Sequence, residues 1–327
     1  MEKYILCFIV FAMSLILTLF IESKILPILK RNAKQPIYDE GPSWHISKAG
    51  TPTMGGVAFV VASSLSLLIY TIASTFLFKD IKVGVSIIIA LFFALGNGLI
   101  GVFDDLMKLY RKKNGGLTPI QKIILQSLIS IIFLMARRYF LQDEPTVRLP
   151  FMWINLGALY YPMCMIILLG IVNCANLTDG IDGLASSVAI SISCAFLLLD
   201  RNLSSDAPIL AAATLGGALG FLYFNAHPAK IFMGDTGSLF LGALAVAMSF
   251  SAGNPLFIVV IGSVYVIEGI SVILQVAIYK LTKKRLFKMA PIHHHLEKSG
   301  LDENRICVSA VIVTLFSSAL LLMLIGV

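Results

Sequence analysis

Ten stretches of this chain are apolar, nearly free of charge and long enough to cross a bilayer, and that pattern constrains its fold before anything else does. Crossing the hydrocarbon takes about 20 predominantly apolar residues per helix, because no water is present there to satisfy an exposed backbone. The stretches fall at roughly 4–29, 54–78, 83–103, 119–141, 157–175, 184–200, 207–224, 235–252, 256–280 and 305–326. They are rich in Leu, Ile, Val, Ala and Gly and lack the period-two alternation of a membrane barrel, so helices are expected. Composition agrees: 58% of the 327 residues are hydrophobic and only 13% charged, with a mean hydropathy of +0.90. A soluble domain carries roughly 25% charged residues. The expected fold class is therefore all-α, a polytopic integral membrane protein of about ten transmembrane helices, forming one membrane-embedded domain over 1–327.

The first span is longer than the apolar region of a signal peptide and is followed by no A-x-A cleavage site, so it is expected to persist as a helix. The 143–155 connection, DEPTVRLPFMWIN, reads as extended, a short hairpin or an interfacial turn. The five cysteines are scattered without a C-x-x-C, which argues against a disulfide framework or a zinc site and for small buried hydrophobes.

With ten spans, both termini lie on one side and the odd-numbered loops on the other. Those odd loops, with the helix ends beside them, carry 17 Lys and Arg, while the terminal side carries seven. The positive-inside rule places the odd loops in the cytoplasm and both termini outside the plasma membrane. The net charge of +7 is thus concentrated on one face. It suits anionic lipid or an anionic substrate, and no nucleic-acid partner is expected.

The polar motifs collect on the same side. GVFDDLMK sets Asp104 and Asp105 side by side where the third span emerges, with Lys108 one turn on. Adjacent carboxylates at a membrane edge repel unless a cation compensates them, and Lys108 and Mg²⁺ are the candidates; a solvated helix end is the competing reading. NCANLTDGIDG spaces Asp179 and Asp182 three apart after Asn173 and Asn176, an oxygen-rich set suited to a hard cation or to the ribose and base of a nucleotide. Helix capping competes there. NAHPAKIFMGDTGS holds Asn225, His227, Lys230 and Asp235, the last at a helix start where it either caps or meets a phosphate-bound metal. KAGTPTMGG offers Lys48, Thr51 and Thr53 among glycines, as a phosphate grip or as a plain turn. Glu268 and Gln275, polar within the ninth span, should face the bundle or a cavity.

APIHHHLEKSG adds His293, His294 and His295. Neighbouring residues point about 100° apart on a helix and to opposite sides on a strand, so three consecutive rings cannot share one small metal. Zinc would normally add cysteine or a helical H-x-x-x-H. Phosphate binding or proton transfer is expected instead, with one ring holding the loop.

Taken in order, GTPTMGG, FDDLMK, NLTDGIDGLA, NAHPAKIFMGDTGSLFLG and PIHHHLE resemble the polyprenyl-phosphate N-acetylhexosamine-1-phosphate transferase superfamily across almost the whole chain. GTPTMGG and the triple histidine resemble its phospho-N-acetylmuramoyl-pentapeptide-transferase branch. The resemblance implies a reaction in which UDP-MurNAc-pentapeptide gives phospho-MurNAc-pentapeptide to undecaprenyl phosphate in the lipid bilayer, leaving lipid I and UMP. It also implies a Mg²⁺ requirement and a homodimer. On that reading Asp235 is the leading metal ligand, Asp104 and Asp105 flank the reacting phosphates, and His294 joins these three as a catalytic group. Lys108, Lys122, His294 and His295 are phosphate contacts. Lys48, Thr53, Asn176, Asp179, Asp182, Phe232 and Gln275 form the nucleoside pocket, with Phe232 stacking on uracil. Asn225 and His293 complete the substrate-binding set. A sister enzyme acting on UDP-GlcNAc would share the aspartates and differ in the histidine loop. An ion-coupled transporter would place polar residues deep in the spans and on both sides.

Overall fold

The computed structural model describes residues 2–33, 48, 50–78, 81–111, 116–200 and 205–326. Lys34, Lys112 and Lys113, counted above in the basic loops, lie outside them, as does His45.

Helices account for nearly all of the described structure. In chain order they are α1 (Glu2–Asn32), α2 (Gly56–Phe78), α3 (Ile81–Arg111), α4 (Pro119–Ala136), α5 (Tyr160–Thr178), α6 (Leu184–Leu199), α7 (Ala207–Asn225), α8 (Gly234–Ser251), α9 (Phe257–Ile261), α10 (Ser263–Thr282), α11 (Ile292–Glu297) and α12 (Glu303–Ile325). Among the described residues, eight helices are long and apolar enough to cross a membrane. The sixth and eighth sequence spans differ from the rest for separate reasons. Helix α6 has only 16 residues. Helix α8 is buried continuously from Thr236 to Ser251, so other helices surround it and its Gly, Ala and Ser content need not match lipid. The ninth span is not one helix: the chain breaks at Gly262 between α9 and α10. Helix α3 runs to Arg111, past the expected end at 103, because the apolar run stops at the membrane edge while the helix itself continues.

The extended 143–155 connection is a two-stranded hairpin, β1 (Thr146–Leu149) against β2 (Met152–Asn155), antiparallel with Val147 opposite Ile154. Its exposed Phe151 and Trp153 suit a membrane interface. The same end of the bundle holds polar contacts that sequence reading did not find. Asp206 accepts hydrogen bonds from Ser86 and Ser251 at 2.9 and 2.7 Å, joining α3 and α8 at the start of α7. Arg137, in the π-helical turn Arg137–Leu141 after α4, pairs with Asp143 and donates to the Phe250 carbonyl.

Small residues set the packing around α8. In a membrane, helices associate through close van der Waals contact, which glycine allows. A Cβ on Gly56 would lie 2.5 Å from Gly237 Cα and 2.8 Å from the Met233 carbonyl oxygen. Gly101 of α3 faces the backbone of Asp235 and Thr236 just as closely. These crossings fix the start of α8 against α2 and α3. Gly56→Ala should therefore cost about 1–3 kcal/mol, seen as a lower melting temperature in detergent. Gly170→Ala, where a Cβ would meet nothing within 4 Å, should leave it unchanged. Equal stability of the two variants would contradict the tight crossing.

Candidate active site

The α3–α8 crossing determines the first part of the site. Asp105 reaches the start of α8, where Oδ1 accepts the Asp235 amide at 3.1 Å and Oδ2 accepts the Thr236 amide at 2.9 Å and the Thr236 hydroxyl at 2.7 Å. The unpaired amides of a helix's first turn favour such a carboxylate. Gly234 enters the helix with φ +75°, and a Cβ there would stand 2.7 Å from Asp105 Oδ2. Asp104 accepts the Leu117 amide at 2.8 Å. Oxygens of Asp104, Asp105 and Asp235 all lie within 4.8 Å of one another.

Two lysines enter this carboxylate group. Lys108, one turn along α3, lies 2.6 Å from Asp104 and 3.2 Å from Asp235. Lys122 comes from the first turn of α4, whose start is fixed by a capping box: Thr118 Oγ1 accepts from the Gln121 amide and the Gln121 side chain from the Thr118 amide. It lies 2.6 Å from Asp235 and 3.4 Å from Asp104. Three carboxylates thus face two ammonium groups, and the surplus negative charge with its clustered oxygens fits a hard divalent cation.

A second group lies where α5, α7 and α12 end or begin. Helix α5 continues through Asn173 and Asn176 to Thr178, with Asp179 as its C-cap residue. Asn176 donates to Ser238 at 2.8 Å and Asn173 to Gln126 at 2.8 Å. Burial, followed by the charges of Asp235, Asp105 and Asp182, holds the Asp179 carboxyl well above the usual carboxylate range. Asp182 pairs with Lys48 at 2.8 Å and accepts from the Ala229 amide at 3.0 Å, with His227 Nδ1 also 3.0 Å away. Asn225 accepts from the Gly183 amide at 3.1 Å and donates to the Ile231 carbonyl at 3.0 Å, binding the turn after Asp182 to the next loop. Thr53 lies in a segment whose backbone pairs with that of Phe232: the Phe232 amide donates to Pro52 and its carbonyl accepts from Gly55. Phe232 itself is half-buried.

The three histidines lie on the short helix α11 and separate as helical spacing requires. His293 is buried, with Nδ1 3.0 Å from Glu268, and its other ring edge faces Gly180 of the aspartate turn. His294 Nδ1 is 2.6 Å from Glu297. His295 Nδ1 accepts the Lys288 amide at 3.1 Å, with the ring edge-on to Phe287, so this ring holds its own loop. None of the three enters a metal-capable group among the described residues. Gln275 also serves this loop: its oxygen accepts from the Leu286 and Phe287 amides at 3.0 and 2.9 Å.

The structure therefore brings Asp104, Asp105, Lys108, Lys122 and Asp235 into one group, and Lys48 and Asp182 into a neighbouring one. Gln275 and His295 are placed in loop support, and Asn225 in a turn-to-loop tie. Sequence reading missed Thr236, Glu297 and Glu303 as members of these networks and read His227 only as part of a motif. Glu303 gave no motif signal because an acid in a first helical turn is ordinary.

Two family models match the chain. The Glycosyl transferase family 4 model matches residues 85–253. Phospho-N-acetylmuramoyl-pentapeptide-transferase signature 1 matches residues 48–60. The chain is 41% identical over 319 residues to the phospho-N-acetylmuramoyl-pentapeptide-transferase of Bacillus subtilis (strain 168), covering 96% of this chain and 95% of the relative. It is 41% identical over 294 residues to that of Clostridioides difficile (strain 630), covering 88% of each. To that of Heliobacterium modesticaldum the identity is 39% over 331 residues, covering 100% of this chain and 98% of the relative. Identity at this level over nearly the full length, with the family signature falling on the segment that begins at Lys48, shows that the chain belongs to the phospho-N-acetylmuramoyl-pentapeptide-transferase family.

Proposed function

We propose that this protein transfers phospho-MurNAc-pentapeptide from UDP-MurNAc-pentapeptide to undecaprenyl phosphate, releasing UMP and forming lipid I on the cytoplasmic face of the plasma membrane. The observation that carries this reading is the group of Asp104, Asp105 and Asp235 with Lys108 and Lys122 at the edge of the bundle, beside the Lys48–Asp182 pair. In the reaction an oxygen of the lipid phosphate forms a bond to the β-phosphorus of the nucleotide, and the bond from that phosphorus to the bridging oxygen breaks, leaving on UMP. Both reactants are anionic, so their approach requires a concentration of positive charge at the membrane edge. Lys108 and Lys122, held in place by Asp104 and Asp235, would supply it together with a divalent cation that offsets the surplus of the three carboxylates. Asp104, Asp105 and Asp235 would hold Mg²⁺, which when bound offsets the charge of the pyrophosphate and stabilises the leaving UMP. Lys48, Asp182 and the half-buried Phe232 suit the nucleoside end, and His294, paired with Glu297, is taken as a phosphate contact on the family resemblance.

Direct attack by the lipid phosphate accounts for the geometry better than a covalent aspartyl intermediate. Asp105 already accepts three hydrogen bonds from the start of α8, and Asp104 accepts one while pairing with Lys108. Each such contact lowers the nucleophilicity of a carboxylate. A phosphate monoester, with its second pKa near 6, is already largely dianionic at neutral pH. Basic loops on the site side support a cytoplasmic site with both termini outside. A homodimer is carried over from the family resemblance.

Purified protein in detergent with undecaprenyl phosphate and Mg²⁺ should release UMP with UDP-MurNAc-pentapeptide and not with UDP-GlcNAc, and EDTA should abolish the release. Turnover of UDP-GlcNAc alone would assign the protein to a sister activity. Asp235→Asn should lower kcat by roughly 10³-fold without changing the melting temperature, and His294→Ala should also reduce turnover severely. Near-normal turnover of His294→Ala would reduce that ring to scaffolding. Incubation with the nucleotide substrate alone should leave Asp104 and Asp105 unmodified by mass spectrometry; a phosphorylated aspartate would overturn direct attack.

A further inference from the structure

Glu303 stands in the first turn of α12, a helix that otherwise exposes Val308, Ile312, Phe316 and Met323 to lipid. It follows the N-cap Asp302, whose side chain accepts from the Arg305 amide at 2.9 Å. An acid there would ordinarily need no partner beyond the helix dipole. Here it has two. Both Glu303 oxygens lie 2.7 Å from the Lys48 ammonium, and Oε2 also accepts the Asp182 amide at 2.8 Å. Lys48 continues to Asp182 Oδ1 at 2.8 Å, and His227 Nδ1 lies 3.6 Å from Glu303 Oε1. One side chain on the last helix thereby joins three loops that are 48, 182 and 227 residues into the chain.

The contacts are shielded from water. Side-chain exposure is 11% for Glu303, 18% for Lys48 and 3% for Asp182. An ion pair on an open surface contributes little and is readily exchanged. A pair this enclosed is costly to leave half-made, because the remaining charge keeps its burial and loses its partner. Without Glu303, the Lys48 ammonium would have Asp182 as its remaining described carboxylate partner, and the Asp182 amide would lose its acceptor. Both groups would then be freer to leave the positions seen here, in the turn that also carries Asp179.

From this geometry we infer that Glu303 is a positioning residue for the nucleotide half of the donor substrate. It touches no reacting atom; it fixes Lys48 and the Asp182 turn, and through them sets the affinity for a uridine nucleotide. The inference rests on the nucleotide-sugar reading given above. It differs from a general structural tether in what it predicts: the loss should fall on nucleotide binding and spare the other substrate and the chemical step.

The test measures UMP binding calorimetrically and steady-state kinetics for wild type, Glu303→Ala, Glu303→Asp and Lys48→Met, all in detergent, with kcat expressed per folded molecule. Glu303→Ala should raise the Kd for UMP and the KM for the nucleotide substrate together by about 10- to 100-fold. Its kcat should stay within about threefold and its KM for undecaprenyl phosphate should not move. Glu303→Asp, which keeps the charge, should recover part of the affinity. The double variant Lys48→Met/Glu303→Ala should bind UMP little worse than Lys48→Met alone, because contacting residues do not act additively. Wild-type affinity in folded Glu303→Ala, or a loss confined to kcat, would overturn the positioning role. Absence of UMP binding by the wild type would instead overturn the nucleotide reading on which it rests.

Discussion

The contact on which the site depends is the carboxylate of Asp105 against the first-turn amides of α8. It forms only because Gly101 lets α3 approach the α8 backbone without an intervening side chain. A helix start needs an acceptor for its free amides, and here a neighbouring helix provides it. The arrangement turns the beginning of α8 toward Asp104 and brings Asp235 within reach of Lys108 and Lys122. Packing and chemistry share the same few atoms, and small residues at a buried crossing are a precondition for the charge cluster.

Charge is placed where the membrane allows it. The acids and lysines of the candidate site sit at helix ends on one side of the bundle, where an ionised group can keep partners and some solvent. Within the apolar layer, Ser14 and Ser63 both donate to the Ala213 carbonyl, linking α1, α2 and α7. The opposite end is held by Asp206 with Ser86 and Ser251, and by Arg137 with Asp143. The basic excess on the loops gives the site end an attraction for anions that extends beyond its direct contacts, although salt screens it within about 10 Å.

Helices, hairpin and the aspartate and histidine motifs were legible in the sequence because each leaves a local mark: a long apolar run, an extended proline-flanked segment, or adjacent acids where hydropathy falls. Interactions between distant segments left none. Glu303 meets Lys48 across more than 250 residues, and nothing in LDENR announces that contact. Gln275, polar within an apolar span, reads as facing the bundle or a cavity, while its pairing with the backbone of residues 286 and 287 leaves no local mark. The break at Gly262 was hidden because it does not interrupt hydropathy. The centrality of α8 was hidden for a related reason, since a helix wrapped by other helices and a helix facing lipid can have similar composition. The three histidines show both sides of this: spacing excluded a shared metal, while the acceptance of the Lys288 amide by His295 came only from the folded loop.

Asp104, Asp105 and Asp235 lie close enough at the α3–α8 crossing to hold one cation, and we propose that they do so. The most direct measurement is the binding of Mn²⁺, as a paramagnetic stand-in for Mg²⁺, to purified protein followed by electron paramagnetic resonance, with Asp104→Asn, Asp105→Asn and Asp235→Asn alongside wild type. The account predicts Mn²⁺ binding by the wild type that Mg²⁺ displaces, and weaker binding in each folded variant. Mn²⁺ bound with unchanged affinity in all three would place the cation elsewhere and contradict the claim.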